Sequence, residues 1–424
     1  MSEGSITSRL RRGTVEAFVL HAAGIGLLFL MHTILGRALG TEGYGTFSYA
    51  LTLAGVLAIV VPLGWPTALM RFIAQYVEQQ RWELLRGAIQ RAYQITLFSA
   101  ALAAVALWAI SHWNRVSPDL ATSLRFAALL LPLLAFVGLR RKALQGLQRV
   151  KASIAVEEIF LPLVVIAGMY LFAITSSSGA LLLYAGAAFL AFLVGSVWLW
   201  RSLPAQSRAA KPEFRTRPWM AVAIPMIFGG LGQIILNRTD VIMLGAMTDM
   251  ESVGLYGAAT RLATLNTFVL GAVNTIAAPM IAAAFYGSRY QQVREIMVKA
   301  MLWSTIGALP LFAVMLFQPQ LLLSLFGTGF IQAGALLQIL AVGQFVNAAT
   351  GPVGFALQVT GRERMFALAI GTAATANVVG NLLAIPAFGA IGAAYVTAAS
   401  IMLLNLILLA LVWLRITASN HTGE

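Results

Sequence analysis

The sequence predicts an all-α polytopic membrane protein with about twelve transmembrane helices in two six-helix lobes. Three observations predict it: long apolar runs, a one-sided distribution of basic residues, and a weak internal repeat. Of the 424 residues, 59% are hydrophobic and only 10% are charged, whereas soluble globular proteins carry roughly 25% charged residues. Charge is therefore excluded from long stretches of this chain.

The apolar runs give the helix count. A helix needs about 20 apolar residues to cross the hydrocarbon core. Twelve runs of suitable length occur, at 15–36, 45–69, 92–110, 121–139, 152–173, 180–200, 219–244, 253–277, 298–317, 331–358, 366–385 and 390–414. The first is too long for the core of a secretory signal peptide, so we expect it to be retained as a helix.

The net charge of +13 is distributed according to membrane side. If the N-terminus is cytoplasmic, 23 of the 28 lysines and arginines lie in cytoplasmic segments. The outer loops hold only Arg37 and Arg115, while Arg125, Arg238 and Arg261 lie within spans or at their edges. This asymmetry predicts cytoplasmic termini. Membrane lipids, rather than nucleic acid, are the expected partners of the basic residues.

The longest polar stretch between spans lies near the middle of the chain, at 201–218. We therefore predict an N-terminal lobe at 1–203, a cytoplasmic basic linker at 204–218 and a C-terminal lobe at 219–424. Because each lobe has an even number of spans, the two lobes would be parallel repeats.

Short internal matches support the repeat. Residues 44–50 match 253–259 at an offset of 209. Two further matches lie near this offset, Leu144-Gln145 and Arg149 with Leu357-Gln358 and Arg362, and Gly179-Ala180 with Gly389-Ala390. All three pairs fall at equivalent places in the predicted topology.

Two apolar runs are interrupted, the second by Pro62 and Pro66 and the tenth by Pro352 between Gly351 and Gly354. Proline in a membrane helix bends the axis and frees carbonyl groups. Such breaks mark gates or ligand sites in transporters. They also arise from packing alone, because Gly and Pro are common in membrane helices.

Polar side chains inside the membrane are costly and need an explanation. Gln233, Asn237 and Asp240 are spaced i, i+4, i+7 and so share one helix face, whereas Arg238 points about 100° away. Arg261 on the next span falls at a depth comparable to that of Asp240. One interpretation is an ion pair of Asp240 with Arg261 or Arg238 that closes the helix hairpin and neutralises both charges. The other is a spare cation available to an anionic substrate.

Other polar groups lie elsewhere in the spans. His21 and His32 share a stripe of the first span, where a histidine suits either proton coupling or a neutral hydrogen bond. Asn266 belongs to a scattered set of amides that suits either interhelical hydrogen bonds or a sugar-binding cavity.

Several kinds of chemistry have no sequence signal. The chain has no cysteine, which excludes a thiolate nucleophile and a cysteine metal site. It has no phosphate-binding loop of an ATPase and no metalloprotease or hydrolase motif. We therefore predict no cofactor, no metal and no enzymatic activity. An enzyme would need a site assembled from distant loops.

Particular strings suggest a family. They are LGRALGTEGYGTFSYA (35–50), GWPTALMRFIAQY (64–76), LQGLQRVK (144–151), NRTDVIMLG (237–245), VGLYGAATRLA (253–263) and APMIAAAFYG (278–287). Together they resemble the polysaccharide biosynthesis, or oligosaccharide flippase, family of the MOP exporter superfamily. The resemblance runs from about residue 5 to 415.

The resemblance implies two six-helix lobes around a central cavity in the inner (cytoplasmic) membrane. It implies movement of an undecaprenyl-pyrophosphate-linked oligosaccharide to the outer leaflet by alternating access, alongside pathway proteins such as a glycan polymerase. Arg261, Arg238 and Arg37 are the positions that would receive the pyrophosphate. Asn237, Gln233 and Asn266 would also face that cavity.

Two other functions are weighed against this one. A MATE-like exporter of small organic cations would have an acidic cavity, yet Asp240 is the one carboxylate well inside a predicted span. A membrane glycan polymerase or ligase would have a large external loop, which the sequence lacks. The lipid II flippase branch, which typically has fourteen spans, fits the length less well.

Overall fold

Helices are the only regular secondary structure in the part of the chain that the structure describes. This computed structural model describes residues 3–113 and 116–414, with side chains at 19–113, 116–227 and 231–414. Arg115 lies outside the described residues. The α-helices are α1 (Glu3–Val60), α2 (Trp65–Glu78), α3 (Trp82–Ile110), α4 (Pro118–Gly146), α5 (Val150–Ile154), α6 (Leu161–Leu171), α7 (Ser177–Ser202), α8 (Ala205–Ala209), α9 (Thr216–Met247), α10 (Met250–Thr264), α11 (Thr267–Tyr286), α12 (Tyr290–Phe317), α13 (Pro319–Leu323), α14 (Gly334–Ala349), α15 (Val353–Val359) and α16 (Glu363–Val412). A π-helix (Ala155–Phe160) joins α5 to α6, and a 3₁₀-helix (Thr328–Ala333) precedes α14.

The helix lengths agree with the predicted number of spans. Among the described residues, nine helical stretches are long and apolar enough to cross a membrane, or ten if the bent α9 counts as one. Two of these, Val19–Val60 with 42 residues and Glu363–Val412 with 50, are far longer than one crossing needs. At 1.5 Å per residue each would extend about 60 Å or more if straight. Dividing each of the two gives the twelve spans that the sequence predicts.

A single glycine folds each of the two long helices into a hairpin. Gly40 has φ 68° and Gly389 has φ 57°, a region open to glycine. The rings of His32 and Phe47 are 6.2 Å apart, although 15 residues of straight helix would separate them by about 22 Å. Gly380 likewise packs against Val396 on the other side of Gly389. The helix therefore turns back on itself at both glycines.

The two predicted interruptions are present. α1 ends at Val60 and α2 begins at Trp65, so Pro62 lies in the break. The gap between α14 and α15 contains Pro352, next to Gly351 with φ 70°. In both places the proline has no N–H to continue the helical ladder.

Contacts divide the chain into two compact units. The first unit is Met1–Leu39 with Thr46–Gly230, and the second is Gly40–Gly45 with Leu231–Glu424. The division falls within α9 rather than in the predicted linker at 204–218. The lobe boundaries predicted from the sequence stay a prediction.

The first residues of α9 pack into the core of the first unit. Trp219 of α9 donates from its indole Nε1 to the Tyr76 hydroxyl at 2.8 Å. The Trp65 indole Nε1 lies 3.2 Å from Met220 Sδ. Trp65, Phe72 and Trp219 also contact one another edge-on or tilted. Aromatic rings of this size bury a large apolar area when they pack together in a core.

The core of the second unit joins α9, α11, α12, α15 and α16. Leu236, Ile281, Met297, Leu357 and Val412 are all at least 97% buried within one cluster. Small alanines from α11 and α16 fill the spaces between them. This packing holds α9 against the surrounding helices and so positions the polar residues described next.

Candidate functional site

The polar residues of α9 and α10 have different partners in the second unit. Asp240 is buried. It accepts hydrogen bonds from the Val241 N–H at 2.8 Å and from the hydroxyls of Tyr256 and Thr397, the latter at 3.3 Å. The Tyr256 and Thr397 hydroxyls are also 3.1 Å apart. This network ties α9, α10 and the second arm of α16 together.

Arg261 does not pair with Asp240. Its Nε donates to the hydroxyl of Tyr44 at 2.9 Å. The Tyr44 ring is fully buried and packs edge-on against Phe326 and Phe330, with centroids 5.9 and 5.7 Å away. Of the two interpretations drawn from the sequence, the ion pair with Asp240 is therefore not formed by this arginine in the structure.

Arg238 is the cation that stays accessible. It is exposed although it lies within a membrane helix, and it is close enough to interact electrostatically with both Arg261 and Asp240. Asn237 and Gln233 are also exposed, and the Asn237 side-chain amide donates to the Gln233 carbonyl at 2.6 Å. The predicted polar face of α9 thus divides into the buried Asp240 and the exposed Gln233 and Asn237, and with Arg238 beside them these form an exposed polar set on α9.

The remaining candidates lie in other surroundings. Asn266 is buried, with its Nδ2 3.2 Å from Met315 Sδ. Arg37 is exposed near the end of the first arm of α1. His32 is buried against Phe47. Within the second unit, the structure brings Arg238 close to both Arg261 and Asp240, whereas the Asn266 side chain contacts Met315.

His21 belongs to a separate charged cluster in the first unit. Its Nδ1 lies 2.6 Å from Glu158 Oε2, and Arg141 Nη1 lies 3.2 Å from Glu157 Oε2. The two glutamates sit in the π-helix Ala155–Phe160, an irregularity that is frequent at functional sites. Both lie within the apolar helical stretch Val150–Leu171.

The segment Gly40–Gly45 makes close contacts within the second unit. Gly45 lies against the Met250 carbonyl and the Gly254 amide, and Gly254 lies against the Thr41 carbonyl and the Gly45 amide. The contact is reciprocal. Residue 250 is the repeat equivalent of residue 41, and residue 254 is that of residue 45, both at the offset of 209. Small residues allow backbones to approach this closely.

Hydrogen bonds add to this crossing. Thr41 Oγ1 donates to Glu251 Oε1 at 3.2 Å, and Gln332 Nε2 donates to the same oxygen at 3.0 Å. Tyr44, Tyr256 and Glu251 were not among the residues proposed from the sequence. The matched strings 44–50 and 253–259 were the signal that could have found the two tyrosines.

Comparison with known proteins gives the family. A family model described as polysaccharide biosynthesis protein matches residues 10–285. The chain belongs to the polysaccharide biosynthesis protein family. The resemblance proposed from the sequence is thereby confirmed. A second model, described as MatE, matches residues 225–383 of this polysaccharide biosynthesis protein.

A curated relative and two solved structures agree with this family. The chain is 24% identical, over 92% of its length and 81% of the relative's, to a probable low-salt glycan biosynthesis flippase, Agl15, of Haloferax volcanii. The lipid II flippase MurJ in an inward closed conformation matches with a TM-score of 0.73 at 13% identity, over 97% of this chain and 93% of MurJ.

An inward-facing multidrug resistance MATE family transporter of the MOP superfamily matches with a TM-score of 0.72 at 15% identity, over 94% of this chain and 96% of that one. At such identities the likeness shows the fold alone. The protein has the MOP transporter fold, which confirms the predicted fold class, and it is a multi-pass membrane protein.

Proposed function

We propose that this protein is a flippase that moves a polyprenyl-pyrophosphate-linked oligosaccharide from the inner to the outer leaflet for cell-surface polysaccharide export. The observation that carries the proposal is the exposed polar set on α9, led by Arg238, in a chain of the polysaccharide biosynthesis protein family. An ionisable side chain at membrane depth normally faces a bundle interior or a water-filled cavity. An arginine in that position suits a pyrophosphate, because its guanidinium can donate two parallel hydrogen bonds.

The energetics favour such a cavity. A sugar head group cannot cross hydrocarbon unaided, since every hydroxyl would lose its hydrogen bonds to water. Amide groups such as those of Asn237 and Gln233 can replace part of that water. The sequence has no nucleotide-binding motif, so an ion gradient or downhill use of the product outside would drive the transport.

The proposal also assigns sidedness and partners. We place the protein in the inner membrane with cytoplasmic termini, because the basic residues concentrate in the predicted cytoplasmic segments. The two lobes predicted at 1–203 and 219–424 would alternate access about the basic linker at 204–218. A glycan polymerase or other membrane protein of the pathway would take the product. The protein itself acts as a transporter and not as an enzyme.

A second candidate is a MATE-like exporter of small organic cations, which the MatE match over residues 225–383 favours. Such an exporter would present carboxylates to its cargo. Here Asp240 is buried among hydroxyls, while the exposed charged side chain nearby on α9 is Arg238. This arrangement fits an anionic cargo better than a cationic one.

Replacing Arg238 by glutamine tests the proposal. In a strain that depends on this protein, we expect Arg238→Gln to lower surface glycan by about tenfold, the effect of losing one charge-assisted hydrogen bond. Membrane protein level should stay unchanged, because the side chain is exposed. Surface glycan is measured by lectin binding and protein level by immunoblot.

Arg364→Gln is the matched control, since Arg364 is another exposed arginine of the second unit. It should export at the wild-type rate. Equal export by wild-type protein and Arg238→Gln would rule out substrate contact by Arg238. If deletion of the protein abolished efflux of a cationic dye and left surface glycan intact, the MATE-like alternative would replace the flippase.

A further inference from the structure

The first unit contains a cavity that none of the preceding residues lines. It has a volume of about 300 Å³ and lies between α3, α7 and α8. Its polar lining includes Arg86 and Arg208, and its apolar lining includes Ile89, Leu199 and Trp200. A cavity with basic groups beside an apolar wall suits a ligand that is anionic at one end and apolar at the other.

The wall formed by the segment after α7 is firmly attached to α3. Arg86 Nη1 donates to the carbonyl oxygens of Arg208 and Ala210, both at 2.7 Å. The Glu213 N–H donates to the Glu83 carbonyl at 3.0 Å. Gly87 also lies directly against the Glu213 backbone. The cavity is therefore built by specific backbone contacts and not by a loosely attached loop.

Arg208 has a hydrogen-bond donor without an acceptor. Its Nε is buried and has no hydrogen-bond partner among the described residues. Its guanidinium carbon lies 5.7 Å from the centre of the Trp200 ring, which orients the planar group. Arg208 also lines the cavity, and the terminal N–H groups of its guanidinium can donate to an anionic oxygen there.

The residues around the cavity have the composition of a protein segment at a membrane interface. Residues 201–217 hold five lysines or arginines and one acidic residue, Glu213. Trp200 and Phe214 are exposed beside them, as aromatic residues often are at membrane interfaces. The positive-inside rule predicts that this segment is cytoplasmic, where anionic lipids attract basic groups.

We propose that this cavity binds one anionic phospholipid, with the phosphate at Arg208 and the upper acyl chain against Ile89 and Leu199. The bound lipid would fasten the segment after α7 to the cytoplasmic surface of the membrane. The cavity shares no residue with the exposed polar set on α9, and we assign it to a structural lipid rather than to the transported cargo. Failure of the proposed transport function would leave this site untouched.

Native mass spectrometry of the full-length protein tests this. The delipidated protein is titrated with phosphatidylglycerol and, separately, with phosphatidylcholine of the same acyl chains. We expect one phosphatidylglycerol to be retained in preference to phosphatidylcholine. Arg208→Gln should weaken that binding by about fivefold, the effect of one basic residue on an anionic lipid.

Arg201→Gln is the matched control. Arg201 is an exposed arginine of the same segment that does not line the cavity, so its loss removes the same charge and should leave retention unchanged. Ser196→Phe keeps every charge but fills the cavity from α7, and it should also reduce retention. Gel filtration and thermal melting confirm that each variant is folded.

Three results would overturn the proposal. Equal weakening by Arg208→Gln and Arg201→Gln would mean that the surface charge acts diffusely. Equal retention of phosphatidylcholine would mean that the phosphate charge of the lipid is not recognised. Binding of glycerol phosphate as strong as that of the lipid would mean that the cavity takes a free anion and that the acyl chain contributes nothing. If Ser196→Phe does not fold, the two arginine variants still decide.

Discussion

Alanine at Gly45 or at Gly254 is expected to destabilise the protein by about 1–3 kcal/mol, as overpacking does, and to abolish export. A Cβ on Gly45 would overlap the Met250 carbonyl oxygen, and one on Gly254 would overlap the Thr41 carbonyl oxygen. Both obstacles are backbone atoms, which cannot rotate away as a side chain can. The segment Gly40–Gly45 and helix α10 would have to separate. Thermal melting in detergent and surface glycan are the two measurements.

The chain supplies close controls for this pair. Gly55, on the same arm of α1 as Gly45, and Gly271 on α11 have nothing within 4 Å of an added Cβ. Because alanine is the better helix former, Gly55→Ala and Gly271→Ala should melt at or slightly above the wild-type temperature. If Gly45→Ala had the same melting temperature as Gly55→Ala, the close contact of Gly45 with α10 would not exist in the purified protein.

The two readouts can also separate. Loss of export at an unchanged melting temperature would mean that the crossing forms during the transport cycle and contributes little to the resting stability. Loss of both would mean that it holds the segment Gly40–Gly45 in the second unit permanently. Because the contact is reciprocal, Gly45→Ala and Gly254→Ala should have the same effect on melting temperature and on export.

Local sequence signals predicted the helices well. The absence of a proline N–H places breaks at Pro62 and Pro352, and both are present. The predicted gap between the eleventh and twelfth spans falls at Gly389, where the second hairpin turns. The repeat match at 44–50 and 253–259 turned out to mark a direct contact between Gly45 and Gly254.

Local signals failed where partners were chosen by the tertiary fold. The string GTEGYG reads as a loop, yet Gly40 alone departs from helical geometry there. Arg261 and Asp240 fall at the same depth, so the sequence allowed an ion pair. In the structure, Arg261 donates to the hydroxyl of Tyr44, which is 217 residues away, and Asp240 accepts from the hydroxyl of Thr397, which is 157 residues away. No periodic pattern of tyrosine or threonine in the sequence indicates that these hydroxyls would be the hydrogen-bond partners of Arg261 and Asp240.

Asp240→Ala is expected to cause the largest loss of protein from the membrane. It would remove the carboxylate that accepts from the Tyr256 and Thr397 hydroxyls and from the Val241 N–H. The two hydroxyls lie 3.1 Å apart, so one can donate to the other, and the second then has lost its acceptor. An unsatisfied buried polar group costs about 1–3 kcal/mol, and a typical domain has only about 5–15 kcal/mol in total. Asp240→Asn keeps one acceptor oxygen and should lie between alanine and wild type. The measurement is steady-state level by immunoblot with thermal melting of the purified protein.

Asp119→Ala is the control, because Asp119 is exposed at the start of α4; it should change stability by less than about 0.5 kcal/mol. A double-mutant cycle then identifies the partner of Asp240. Asp240→Asn combined with Tyr256→Phe should show a coupling of about 0.5–3 kcal/mol, as contacting residues do. Asp240→Asn combined with Arg261→Ala should be close to additive, because Arg261 donates to Tyr44 instead. Strong coupling in the arginine cycle and none in the tyrosine cycle would restore the ion pair and with it a purely structural role for Arg261.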